Sequence, residues 1–330
     1  MGVARSGLPH FLHRKFFRDS LTILMYHGVV STPLGVADWC FLSEASFRRQ
    51  ANYLKENFRV VSLCDALVMM QENLKELTAV ITFDDGFLNN YKVAFPILVQ
   101  LELPATIFLS TGLVNTDDTV WYCKINRAIS ATKKPYFDWL GKRYSLVGKL
   151  DRFNLSEQLQ EYLKNLSQRQ LVAELRKMVR DLGDDIDRPI EPDSPFRILD
   201  GGSIKEMMKS GLIEFGAHTH SHAILSSLTS EERRQEIIQS LVTVENLTGC
   251  ACRLFSYPNG RQEDYDNESI EILGSYGVKA AVTTIEGPNN EKTPPLELRR
   301  YGVGADADFD EFRCKTHLFT PKIMKWVFPF

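Results

Sequence analysis

Three things that this sequence lacks narrow the kinds of protein it can encode. Its 330 residues include no run of about 18 apolar residues, the length that a membrane-spanning helix needs, so we expect no transmembrane segment. It has no basic excess, because 39 lysines and arginines stand against 42 aspartates and glutamates, and we therefore expect no nucleic-acid partner. The six cysteines are scattered, and the close pair Cys250 and Cys252 has the spacing of neither a redox motif nor a zinc knuckle. Scattered thiols of this kind favour a reducing compartment.

The N-terminal segment lacks the features of a secretory signal. Residues 1–20 contain basic residues but no clean apolar core followed by a small-residue cleavage site. We therefore expect the protein to be cytoplasmic. Residues 8–17 are basic and aromatic, a composition that suits either a helix packed on the domain or a peripheral contact with the inner face of the membrane. We favour the packed helix.

The sequence does contain a regular alternation of short apolar runs and amphipathic segments. Hydrophobic residues make up 44% of the chain and charged residues 25%, which is enough apolar material for a sizeable core. Alternating strands and helices indicate parallel βα units joined by right-handed crossovers, and hence an α/β fold. The apolar runs predict strands at residues 21–26, 58–63, 79–83, 104–110, 212–217, 252–257, 280–284 and 298–303.

This alternation is interrupted between about residues 115 and 198. Residues 155–182 have the apolar spacing of one or two amphipathic helices, and residues 184–195 form a polar, proline-rich connector. We interpret the region as a helical insertion into a single barrel-like domain. The predicted organisation is an N-terminal helical and basic segment at 1–20, the barrel at 21–310 and a C-terminal tail at 311–330.

Two adjacent carboxylates follow one of the predicted strands. Residues 79–83 lead directly into Asp84, Asp85 and Gly86. Because alternate side chains of a strand point to opposite faces, one acid could bind a metal while the other handles a proton. An ordinary Asp-Gly turn is the alternative. His27 follows the first predicted strand in the same way, at the carboxyl end where α/β folds place their chemistry.

Three of the seven histidines, His218, His220 and His222, follow the predicted strand 212–217. Histidine nitrogens and a carboxylate oxygen together suit zinc or a similar divalent ion. Two histidines and one carboxylate leave coordination positions open for water and substrate, which is typical of a catalytic site. Such an ion lowers the pKa of its water toward about 7, and a carboxylate outside the coordination sphere can take the proton. A polar surface cluster is the alternative.

Three motifs resemble those of the polysaccharide deacetylase family, also called the NodB-homology or carbohydrate esterase family 4 domain. Thr82-Phe-Asp-Asp-Gly86 resembles the first motif, His218-Thr-His-Ser-His222 the second and Phe255-Ser-Tyr-Pro-Asn-Gly260 the third. The resemblance implies a distorted (β/α) barrel of about seven parallel strands over residues 20–115 and 200–305. It also implies a divalent metal, zinc first and cobalt or nickel as alternatives, and removal of N-acetyl or sometimes O-acetyl groups from hexosamine polymers.

The first two motifs carry the roles of base and metal ligand in that family. By resemblance, Asp84 is the general base and Asp85 the metal-binding aspartate. His218 and His222 match the two metal-binding histidines. Thr219 matches the residue whose hydroxyl braces the motif.

The third motif carries the contacts to substrate. By resemblance, the backbone N–H of Asn259 forms part of an oxyanion hole, and Tyr257 and Pro258 belong to the substrate-binding surface. Arg253, which we group with these substrate-binding residues, resembles the arginine that orients the catalytic base.

The catalytic acid has two candidates, His27 and His317. Met25-Tyr26-His27 resembles a Tyr-His motif near the start of the poly-N-acetylglucosamine deacetylase branch, where the first-strand histidine is proposed as the acid. A general acid must reach the leaving amine, and the end of the first strand lies on the same barrel face as the metal. We therefore favour His27.

The resemblance predicts a metal-dependent N-deacetylase of an N-acetylated oligo- or polysaccharide, related to exopolysaccharide or cell wall. Two alternatives stay open: a catalytically silent carbohydrate-binding relative, and a hydrolase of a non-sugar amide or an O-acetyl ester. A glycoside hydrolase would need a carboxylate pair on either side of a glycosidic bond, which the adjacent Asp84 and Asp85 do not offer.

Overall fold

The apolar runs form the strands of one parallel sheet, whose central strands are buried on both faces. The computed structural model describes residues 8–16, 19–72, 74–305 and 308–318, with no side-chain description for residues 8 and 16. The strands are β1 Leu21–Tyr26, β2 Gly28–Val30, β3 Phe41–Ser43, β4 Arg59–Val60, β5 Thr78–Phe83, β6 Ala105–Leu109, β7 Tyr136–Trp139, β8 Lys142–Ser145, β9 Ile213–Ala217, β10 Leu254–Ser256, β11 Ala280–Val282 and β12 Tyr301–Gly302. Every residue of β1, β5 and β6 is buried, as expected for parallel strands covered by helices.

The sheet curls into the predicted distorted barrel. Its order is β11-β10-β9-β6-β5-β1-β12, with β4 paired to the start of β5, and all of these pairs are parallel. The segment around β12 connects the two edges. The N–H of Leu298 donates to the carbonyl of Ala281 at 2.9 Å, and that of Val303 donates to Met25 at 3.0 Å.

Helices cover the outside of the sheet, and several of them begin or end at conventional capping residues. They are α1 Leu8–Phe16, α2 Glu44–Asn57, α3 Leu63–Gln71, α4 Phe95–Leu101, α5 Trp121–Ala131, α6 Lys149–Lys164, α7 Gln168–Leu182, α8 Gly201–Lys209, α9 Ser230–Thr248, α10 Asn267–Tyr276 and α11 Phe309–Thr316. In α9, Thr229 and Glu232 form a capping box, and Gly249 ends the helix with a left-handed φ of 72°. None of the helices in the described ranges is long and apolar enough to cross a membrane.

The region between β6 and β9 is more than a pair of helices. The predicted amphipathic stretch 155–182 forms α6 and α7, but α5 and the antiparallel hairpin of β7 and β8 precede them. The hairpin turns at Leu140 and Gly141, which have φ values of 49° and 75°. Glycine favours such a turn, and Gly141 was the local signal for a hairpin that the sequence reasoning missed.

The first and last described helices, α1 and α11, pack together away from the strand ends that carry the motifs. In α1, His13 is buried and lies 3.3 Å from His317, nitrogen to nitrogen. The expected C-terminal tail begins inside α11. The membrane contact suggested for residues 8–17 includes residue 17, which lies outside the described residues. Within the described helix, Phe11 is 59% exposed.

Close packing between strands gives the first testable prediction. A Cβ added at Gly216 in β9 would lie 2.6 Å from the ring of Phe108 and 2.8 Å from the carbonyl oxygen of Leu254. Backbone cannot move aside cheaply, so Gly216→Ala should lower the free energy of unfolding by about 1–3 kcal/mol. Denaturant unfolding measures this. Gly274→Ala is the control, because its Cβ meets only Leu296 at 3.7 Å within a helix, and an equal loss there would contradict the packing explanation.

Candidate metal centre

Asp84 is held by a buried arginine from the far end of the chain. Its backbone N–H donates to the carbonyl of Tyr26 at 2.9 Å, which fixes it at the end of β5. Its carboxylate oxygens accept from Nη1 and Nη2 of Arg300 at 2.8 and 2.7 Å, and both side chains are buried. Burial alone would raise the pKa of Asp84, but the charge and hydrogen bonds of Arg300 help hold it below its ordinary value. Asp84 is therefore ionised at neutral pH, as a general base must be.

The arginine that orients Asp84 is Arg300 and not Arg253. Arg253 is exposed and lies just before β10, at the amino end of that strand. Arg300 also donates to the carbonyl of Thr283 at 2.8 Å and to the hydroxyl of Ser256 at 3.1 Å. The sequence did contain a signal for this role, because Arg300 lies inside the predicted strand 298–303. A charge that is buried in a core strand requires a partner of opposite charge.

Asp85, His218 and His222 bring three ligand atoms together. Oδ1 of Asp85 lies 3.1 Å from Nε2 of His222 and 3.6 Å from Nε2 of His218. One ligand atom from each of the three buried residues lies within 4.8 Å of the other two. The predicted ligand set is therefore assembled at the carboxyl ends of β5 and β9.

The hydrogen bonding and burial of these side chains suit a bound divalent ion. Nδ1 of His218 lies 2.7 Å from the carbonyl oxygen of Ser256, so this nitrogen donates and the lone pair of Nε2 faces Asp85. Burial lowers the pKa of His218 to about 4, which leaves the ring neutral at pH 7. Oδ1 of Asp85 is buried, yet it accepts no hydrogen bond from any part of the chain that the structure describes. A buried carboxylate oxygen beside two histidine nitrogens is a donor set that fits zinc.

Tyr122 is a site residue that the sequence reasoning missed. It lies in α5, the first helix of the insertion, and its hydroxyl donates a short hydrogen bond to Oδ2 of Asp85. Its ring also meets that of His222 edge-on, with the centroids 6.0 Å apart. The insertion therefore holds one oxygen of the carboxylate, Oδ2, while the histidines lie against the other, Oδ1. No local motif around Tyr122 signalled this contact.

The backbone is in an uncommon conformation at each motif. Asp85, Thr219, His222 and Asn259 have φ values of 70°, 57°, 58° and 61°. Positive φ is rare outside glycine, and for a β-branched residue such as Thr219 it is an outlier. Strained residues persist only where the surrounding structure holds them, and they cluster at functional sites.

The second motif is braced by its backbone and by a glutamate, and not by the hydroxyl of Thr219. That hydroxyl is buried and has no hydrogen-bond partner within the described ranges. The carbonyl of Thr219 instead accepts from the N–H of Thr111 at 3.2 Å, and the carboxylate of Glu236 accepts from the N–H of His220 at 2.8 Å. The ring of His220 contacts the Thr111 hydroxyl at 3.0 Å, outside the ligand cluster.

In the third motif only Asn259 reaches the cavity. Tyr257 is 1% exposed, its hydroxyl donates to the carbonyl of Leu296 at 3.0 Å, and its ring stacks on Tyr265. Pro258 is buried as well. These two side chains therefore pack in the core and do not reach the cavity, contrary to the substrate-binding role expected of them. The backbone N–H of Asn259 donates to no group in the described part of the chain, which leaves it available to an oxyanion.

The structure separates the two candidate acids. His27 lines the same cavity as Asp84, and its ring packs edge-on against Trp39 at 4.9 Å. His317 stacks on Phe58 at 5.0 Å. Phe58 directly precedes β4, which is parallel to β5, so His317 lies near the amino ends of the strands. His27 therefore lies at the candidate metal centre, and His317 does not.

A small cavity of about 70 Å³ opens at the centre. The barrel contributes strand-end residues, and the insertion contributes Trp121, Tyr122, Gln160 and Lys164. A larger cavity of about 700 Å³ lies against residues 30–35 and 188–196 and includes none of the motif residues. The site is therefore identified by the chemical groups that line the smaller cavity and not by the volume of the cavity.

A distorted (β/α) barrel that gathers an Asp-His-His cluster and a separate ionised aspartate at its strand ends defines the class of NodB-type hydrolases. Residues 182–281 match the model of the family described as polysaccharide deacetylase. That segment contains His218, His222 and Asn259, while Asp84 and Asp85 lie outside it. The resemblance indicated by the three motifs is confirmed, since residues 182–281, which carry the second and third motifs, match the model of this family.

Individual relatives are distant in sequence. Over 286 residues the chain is 22% identical to YxkH of Bacillus subtilis (strain 168), which bears the name of a polysaccharide deacetylase, covering 86% of this chain and 71% of YxkH. The Streptococcus pyogenes deacetylase PplD, solved with acetate, superposes with a TM-score of 0.60 at 18% identity over 90% of this chain and 98% of PplD. IcaB from Ammonifex degensii gives 0.58 at 19% identity, over 91% and 97%. These solved structures share the fold.

Metal binding provides the prediction for this centre. His222→Ala should abolish tight zinc binding, because an open site with three ligands cannot spare one. Tyr122→Phe should weaken the affinity about 10–100-fold, because it removes a hydrogen bond that orients Asp85. Chelator competition followed by elemental analysis measures both. His220→Ala is the matched control and should bind zinc normally. Normal binding by His222→Ala together with loss in His220→Ala would contradict the assignment.

Proposed function

We propose that this protein is a metal-dependent N-deacetylase that removes acetyl groups from N-acetylhexosamine residues of an exopolysaccharide or cell-wall glycan, or of a precursor. The observation that carries the proposal is the ionised Asp84 beside the separate ligand cluster at Asp85. A carbohydrate-binding relative without chemistry would need neither the base nor the ligands. Zinc is the ion that two histidines and a carboxylate suit best, with cobalt or nickel as alternatives.

Asp84 is the group that we assign to the first proton transfer. When bound, the ion would lower the pKa of water and polarise the acetamide carbonyl. Asp84 takes the proton of the attacking water, and the two hydrogen bonds from Arg300 hold its carboxylate in position. Because Asp85 is engaged by Tyr122 and the histidines, the two adjacent acids have separate tasks.

We assign the stabilisation of the oxyanion to Asn259 and the protonation of the leaving amine to His27. The free N–H of Asn259 donates to the oxyanion that forms on the acetyl carbon. The amine cannot leave as an anion, so His27 donates a proton to it. Burial lowers the pKa of His27 in the resting protein, and negative charge that develops on the substrate raises it again.

Acetate release by the zinc-loaded protein tests the function. Chitooligomers and poly-N-acetylglucosamine should both be assayed, beside an O-acetylated sugar and a non-sugar acetamide. Asp84→Asn should bind zinc normally but lose about 10²–10⁴-fold in kcat, the usual contribution of a general base. Near-normal turnover by the Asp84→Asn variant would show that Asp84 is not the general base. If acetate were released only from the ester or only from the non-sugar amide, the proposed substrate class would be wrong.

The acid is tested by a matched pair of histidine variants. His27→Gln should keep zinc and lose about 10²–10⁴-fold in kcat on an N-acetyl substrate, whereas His317→Gln should be nearly unchanged. An aryl acetate should be far less sensitive to His27→Gln, because its leaving group needs little protonation. An inactive His317→Gln beside an active His27→Gln would reverse the assignment.

A further inference from the structure

The insertion closes over the metal centre from more than one side. Helix α6 runs across the cavity and contributes Gln160 and Lys164 to its lining. Glu161, one residue from Gln160, accepts from Nη2 of Arg261 at 3.1 Å, and Arg261 belongs to the loop that follows β10. On the other side, Nε2 of Gln160 lies 3.4 Å from Oδ2 of Asp38, in the segment between β2 and β3. Polar contacts therefore attach α6 to two separate walls of the barrel mouth.

The enclosed space is small in relation to a sugar chain. A cavity of about 70 Å³ holds about two water molecules, whereas ligand pockets typically measure about 300–1,000 Å³. An acetyl group fits, but a sugar ring must remain at the mouth. The side chains of Asp85, His218 and His222 are all less than a tenth exposed. The centre is therefore at the bottom of a pocket and not along an open groove.

Trp121 gives the pocket an unused donor. Its side chain is 8% exposed and lines the cavity, and its indole N–H has no hydrogen-bond partner among the described residues. A buried donor without a partner is costly, so a ligand oxygen at this position would satisfy it. Trp121 is in α5, so this donor also comes from the insertion.

From these contacts we propose that the enzyme binds its glycan end-on and deacetylates only a terminal acetamido sugar. An internal sugar needs two open exits for the chain, whereas α6 joins the two walls through Asp38 and Arg261. The insertion is therefore the element that determines which sugar of the chain reacts. This inference rests on the proposed N-deacetylase function.

The test maps the position of deacetylation in chitohexaose by tandem mass spectrometry, with the zinc-loaded full chain. We expect a single deacetylated sugar, always at the same end, and a kcat/KM that changes little from chitobiose to chitohexaose. Deacetylation of interior sugars would overturn the inference while leaving the proposed function intact. No acetate from any N-acetyl substrate would overturn both.

A double variant tests whether α6 closes the pocket. Gln160→Ala with Glu161→Ala removes both contacts to the walls, and the ratio of interior to terminal deacetylation should rise about threefold to tenfold, as expected for two weak polar contacts. Asp187→Ala is the control, because it breaks an exposed ion pair with Arg176 inside the insertion and should leave the ratio unchanged. An unchanged ratio in a folded double variant would contradict the closing role of α6.

Trp121→Phe keeps a flat ring but removes the donor. If the indole N–H binds the terminal sugar, KM for chitobiose should rise about threefold to tenfold with little change in kcat, the effect of one lost hydrogen bond. The inactive Asp84→Asn protein allows chitobiose binding to be measured directly by calorimetry, with and without Trp121→Phe. Equal affinities would exclude Trp121 from sugar binding.

Discussion

The buried ion pair between Asp84 and Arg300 is the interaction on which the centre depends. It connects the end of β5 to a residue 216 positions later in the sequence, and the same guanidinium also reaches the ends of β10 and β11. Removing one partner from such a pair leaves the other charge buried and costs about 3–5 kcal/mol. The pair therefore links the ends of β5, β10 and β11 and keeps Asp84 ionised at the same time.

With Asp84 committed to Arg300, its neighbour is free for another task. Asp85 has a left-handed backbone, which turns its carboxylate toward His218 and His222. Tyr122 donates a hydrogen bond to one of its oxygens, and the other oxygen faces the nitrogens of the two histidines. The proposed base and the proposed metal ligand are thus next to each other in the sequence but have separate hydrogen-bond partners. The insertion contributes to this division of tasks as well as to the shape of the pocket.

The sequence predicted the barrel and the residues that cluster at its strand ends, because both depend on short-range patterns. Apolar runs followed by Asp85 or His218 locate strand ends, and parallel strand ends meet at one edge. Contacts between distant segments were beyond this reasoning. Arg300 was missed in favour of Arg253 because its partner is far away in the sequence, and nothing near Tyr122 indicates that it contacts Asp85. The hairpin inside the insertion was missed because two four-residue strands are too short for periodicity to separate from a loop.

The central claim is that Asp85, His218 and His222 form one metal site with Asp84 outside it. The most direct measurement is an anomalous-difference map from crystals of the zinc-loaded protein, recorded on both sides of the zinc absorption edge. The account predicts a single strong zinc peak in contact with those three side chains, with Asp84 still bound to Arg300. A peak elsewhere in the chain, or a peak that Asp84 coordinates in place of Asp85, would contradict it.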